Sequence, residues 1–190
     1  MKKVKNLLVS GLLVSGLLVS LSFNMSYAGH FSGGFASGKL TYGVGGGDSS
    51  IVRTAASQWN GVSSKAGLTY SSATDKYGLK ANIVTYANSH SSTTAGLLGE
   101  TIPYKSYTGT SATPASVNDR WVKAIVYQYK TSYLNTTAKK IHTMTHELGH
   151  ALSVAHPSNS STDAVMKQGA QTTYNLKSYD KSSLKAKWGI

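Results

Sequence analysis

The segment His146-Glu-Leu-Gly-His150-Ala-Leu-Ser-Val-Ala-His156 holds three of the six histidines in the chain. An α-helix advances about 1.5 Å and turns about 100° per residue, so positions four apart lie about 40° apart around the axis and about 6 Å along it. On a helix His146 and His150 therefore offer both imidazoles to one cation. Ile141, Leu148 and Leu152 supply an apolar side, and a helix is predicted over residues 136–152. Glu147 is poorly placed to share the cation but well placed to accept a proton from water activated beside it. A catalytic zinc needs a third protein ligand and an open position. No Glu follows Glu147, which leaves His156, Asp163 and Asp180 as downstream candidates.

The stabilising chemistry is bounded by the absence of cysteine, which excludes a disulfide framework, a Cys-ligated zinc finger and a thiol nucleophile. Lys2, Lys3 and Lys5 precede an apolar run from Leu7 to Leu21, and Ser26-Tyr27-Ala28 follows, so a secretory signal cleaved after Ala28 is predicted. That cleavage takes three lysines and no acid from the net charge of +12, leaving +9. A basic secreted chain is expected to associate weakly with anionic surfaces. No basic run longer than a Lys pair and no nucleic-acid fingerprint is present, so no specific nucleic acid is expected.

The Gly/Ser-rich residues 29–38 read as a flexible N-terminal arm, and the folded domain is expected over 39–190. Strands are predicted over 39–44, 68–71, 81–87 and 121–129, and residues 96–104 read as an edge strand because Pro103 cannot donate to a ladder. Residues 105–120 read as loop. Helices are predicted over 49–65, capped by Asp48 or Ser49 and stopped by Gly67, and over 178–187. This is an α+β plan with a mixed sheet and three helices. His30 and His90 read as surface residues and His142, one turn before His146, as a packing or solvent-facing residue. The scattered Asp48, Asp75, Asp119, Asp163 and Asp180 lack calcium-loop spacing, so structural Ca²⁺ stays open without being expected.

With Met166 in Ala164-Val165-Met166, the histidine segment resembles the metzincin zinc motif and its methionine turn. Trp121–Tyr127 resembles the strand before the active-site helix of a bacterial secreted matrixin-like domain. Gly96–Pro103 resembles its substrate-binding edge strand, and Tyr179-Asp180 through Trp188-Gly189 its terminal helix. The resemblance spans most of 39–190, although only the His/Glu/Met part is specific. It implies a zincin/metzincin-like twisted sheet, one catalytic Zn²⁺ on His146, His150 and His156, and Glu147 as the catalytic acid/base. It departs from the clan at Ser153, where the pattern has Gly, and at Gln168, where two branches carry Tyr. A secreted, monomeric zinc metalloendopeptidase acting on proteins or peptides is the expectation. Its rivals are a hydrolase of a nonprotein cell-wall amide and a basic adhesion protein with structural zinc.

Overall fold

The computed structural model describes residues 29–75, 78–108 and 111–190; the expected signal segment, 1–28, lies outside the described residues. In chain order the elements are β1 (Gly38–Gly47), α1 (Ser49–Trp59), β2 (Ala66–Tyr70), β3 (Thr74–Asp75), β4 (Gly78–Leu79), β5 (Ile83–Ala87), β6 (Gly99–Tyr107), β7 (Ala112–Pro114), β8 (Lys123–Gln128), α2 (Thr137–Ala151) and α3 (Ser178–Trp188). β3 and β4 form a separate two-stranded ribbon, and the other six strands form one sheet in the order β2-β1-β5-β8-β6-β7. β2, β1, β5 and β8 run parallel, while β6 is antiparallel to both β8 and β7. The described residues are thus α+β, with a mixed sheet and three helices. Among the described residues no helix is long and apolar enough to cross a membrane.

The core lies between the sheet and α1 and α2. Asp48 caps α1 by accepting from Ser50 N and Ile51 N, and Ile51, Val52, Ala55, Ala56 and Trp59 form its buried stripe. The Trp59 indole donates to the Thr145 carbonyl at 2.9 Å, which ties α1 to the middle of α2. Thr136 caps α2 by accepting from Lys139 N. The mean strand pattern follows the same logic: Ile83, Ala87, Ala124 and Val126 are buried in the same cluster as Met144 and Leu148.

Four expectations change. α1 stops at Trp59, not near residue 65, because the Asn60 side chain is engaged by β2: its Oδ1 accepts from Leu68 N at 2.7 Å and its Nδ2 donates to Leu68 O at 3.1 Å. The predicted loop 105–120 contains the end of β6 and all of β7, paired through Ser106↔Thr113 and Tyr107↔Ala112. Trp121 precedes β8 and is buried against Phe31 and Phe35 rather than standing in the strand.

The fourth is the arm. Residues 29–38 are packed along the molecule, with Phe31 N donating to Ser153 O, Gly33 N to Val117 O and Gly34 N to Asp119 O at 2.8–2.9 Å. Their Gly/Ser content, which suggested flexibility, permits the close approach: a Cβ on Gly34 would run into the Ser153 side chain.

Candidate metal centre and cleft

α2 delivers His146 and His150 from adjacent turns, and the chain after its end brings back His156. His156 Nε2 lies 3.0 Å from both His146 Nε2 and His150 Nε2. Among the described residues these three form the one group of three or more His, Cys, Asp or Glu side chains that could hold a metal ion. Backbone carbonyls set two of the rings: His146 Nδ1 bonds to Val165 O at 2.8 Å and His150 Nδ1 to Val154 O at 2.9 Å. With Nδ1 as the donor, each Nε2 turns a lone pair inward. His156 Nε2 stands 3.0 Å from both of these nitrogens, a spacing that a proton on His156 Nε2 or a bound cation satisfies. Two nitrogens about 2.05 Å from one zinc at a tetrahedral angle would be about 3.3 Å apart, so the donor set fits that ion in kind and in spacing.

The other candidates for third ligand stand elsewhere. Asp163 is exposed and pairs with Lys177 at 3.3 Å. Asp180, fully buried, accepts from Val165 N, Met166 N and Lys177 N at 2.9, 3.1 and 2.8 Å. It caps α3, as its position suggests, and it also ties α3 to the segment that carries the Val165 carbonyl and Met166. Met166 is buried, with its sulfur close to Gly149 of α2.

The link from His150 to His156 turns at Ser153, whose φ is 66°. A left-handed backbone costs a residue other than glycine about 1–2 kcal/mol, and the Ser153 hydroxyl is buried with no hydrogen-bond partner among the described residues.

Glu147 is buried beside the histidines, and the Thr101 hydroxyl lies 2.9 Å from its Oε2 and 2.8 Å from its carbonyl oxygen. Thr101 was not among the sequence candidates; a threonine in a strand gives no sign of its partner. A cavity of about 360 Å³ opens here, lined in part by Gly99, Thr101, His142, His146, Glu147 and Gln168. His142 is buried, with Nδ1 bonded to Thr173 O at 2.7 Å. On the other side of the histidines a second cavity of about 390 Å³ is walled by Phe31, Pro103, Val117, Trp121 and Pro157.

β6 forms the rim between the two cavities. The carbonyls of Leu98 and Tyr104 accept from Tyr129 N and Val122 N, on the β8 side. Backbone direction alternates along an antiparallel strand, so Gly99, Thr101 and Pro103 point the other way. Ala115 N takes the Pro103 carbonyl, and β7 pairs only from Tyr104 onward. The backbone groups of Gly99 and Thr101 therefore face the cleft.

Burial dominates the titration of this site. It pushes the Glu147 carboxyl from 4.5 up to about 8. It pushes the His150 imidazole from 6.5 down to about 3, with the charge of His156 adding to the shift, and it also lowers His146 and His156. Folded Glu147 keeps a proton that the unfolded chain releases, so its contribution to stability is lost as pH rises from about 4.5 through about 8. The histidines refuse protons that the unfolded chain accepts, so theirs is lost as pH falls below about 6.5. Three imidazoles outweigh one carboxyl where the ranges overlap. Metal-free protein is expected to be most stable near pH 6.5, with its melting temperature falling on both sides; a profile still rising at pH 8 would contradict this.

A scan against protein-family models finds no match to this chain, and a search of curated proteins finds none.

Proposed function

We propose that the chain is a secreted zinc-dependent metalloendopeptidase of metzincin type, with zinc held by His146, His150 and His156 and Glu147 as its acid/base. One observation carries the reading: three histidine Nε2 atoms converge beside a buried carboxyl, in a cleft bordered by unpaired strand edge. Zinc bound there would polarise both the scissile carbonyl and the attacking water. Glu147 takes a proton from that water and passes it to the leaving nitrogen. Thr101 restrains Oε2, which keeps the carboxyl turned towards the cleft. Gly99 and Thr101 offer main-chain hydrogen bonds to an extended peptide, and such bonds hold many sequences in one orientation. Met166 takes the place of the methionine turn in this reading.

The test is digestion of an unfolded protein by the purified chain, with and without a zinc chelator, followed by zinc re-addition. Cleavage abolished by the chelator and restored by zinc is the expected result. Cleavage that survives chelation would remove the metal from the reaction. A folded, zinc-loaded protein that cuts purified cell-wall material but no protein would replace the peptide with a nonprotein amide, and one that cuts neither would make the zinc structural.

A further inference from the structure

We infer that residues 29–34 act as a positioning strap for the second and third histidines, with Phe31 as its anchor; this rests on the metal reading above. The strap lies antiparallel to the link between His150 and His156, through the bridge His30↔Val154. Phe31 N donates to Ser153 O at 2.8 Å, and Ala155 N donates to Gly29 O at 2.6 Å. The strap thus grips Ser153–Ala155 on both sides of Val154, whose carbonyl orients His150. His156 is the next residue after that grip. The Phe31 ring also stacks on His150, with centroids 5.7 Å apart and planes 21° from parallel.

The strap is itself fastened from behind. Lys187 of α3 donates to the carbonyls of Phe31, Ser32 and Gly33 at 2.8, 3.0 and 2.7 Å. The grip falls on a link that has reason to move. Ser153 holds a left-handed backbone, and among the described residues its hydroxyl makes no hydrogen bond that would steady the turn. Pairing with the strap fixes the turn from outside, and with it the spacing between the second and third imidazoles. Phe31 and Lys187 are positioning residues: they act on the cation through His150 and His156.

The experiment measures zinc affinity, by competition with a chromophoric chelator, and the visible spectrum of the Co²⁺-loaded protein. Full-length F31A, F31L and K187A are compared with the parent chain and with K185A, a control on α3 outside the strap contacts. Groups that orient metal-bound histidines contribute about 10- to 100-fold to affinity. Zinc binding is expected to weaken about tenfold in F31A and K187A and less in F31L, with an altered Co²⁺ spectrum, while K185A matches the parent. F31L keeps the apolar bulk, so it carries the test if F31A fails to fold. Zinc affinity within about twofold of the parent in folded F31L and K187A, with an unchanged Co²⁺ spectrum, would overturn the strap and leave the metal reading standing. A parent chain that binds no zinc would overturn both.

Discussion

Glu147→Ala is expected to keep zinc affinity within about threefold of the parent and to lower peptide hydrolysis by about 10²- to 10⁴-fold, the range that a positioned acid/base contributes. The two halves follow from separate parts of the site. The Nε2 cluster is formed by the histidines alone, and their visible backbone partners are the carbonyls of Val165 and Val154, not the Glu147 side chain. Glu147 instead has its carboxyl held by Thr101. Glu147→Gln is the stricter comparison, since its amide oxygen can still accept from Thr101 while the side chain can no longer take up a proton. Turnover and zinc content measured on the same preparations decide the matter. Loss of less than tenfold in the glutamine variant, with zinc retained, would remove Glu147 from the proton transfer.

Asp180→Ala is expected to cost much stability without touching the histidine cluster. Its carboxylate is fully buried and accepts three backbone amides, from Val165, Met166 and Lys177. A hydrogen bond to a charged group contributes about 1.5–3 kcal/mol, and a buried donor left unpaired costs about 1–3 kcal/mol. A loss of about 4 kcal/mol follows even if water enters to satisfy part of the site. At about 2–4 °C per kcal/mol for a chain of this size, the melting temperature should fall by about 8–16 °C. Zinc affinity should fall too, because the Val165 carbonyl orients His146. Calorimetry of the metal-free variant is the check, and a shift under about 3 °C would mean that the three amides find other partners.

What the sequence disclosed and what it hid divide by the range of the interactions. The cap at Asp48, the extent of α2, the strands around 39–44 and 81–87 and the face shared by His146 and His150 depend on neighbours a few residues away. Periodicity and capping chemistry expose such features directly. His156 was readable only as one of three downstream candidates, singled out by the motif resemblance rather than by any local signal. The strap was not readable: its composition describes a loose chain, and its order comes from partners at Val117, Asp119, Ser153 and Lys187. Likewise the early stop of α1 depends on an Asn60 side chain engaged by a later strand. β7 has the unremarkable sequence Ala-Thr-Pro and becomes a strand only because β6 supplies its partner. Thr101 and Asp180 belong to this class: an isolated threonine and a helix-cap aspartate gave no sign of the groups they reach.

Gly149 stands between Glu147 and the second histidine, a position that the chemistry of the motif leaves free. A Cβ there would fall 2.5 Å from the Trp59 ring and would also strike the Met166 sulfur. The distance between α1 and α2 and the seat of Met166 against α2 are therefore set by the same missing methyl group. In a mutational scan, position 149 should be as intolerant as the histidines themselves, yet its variants should be lost to misassembly before any question of catalysis arises.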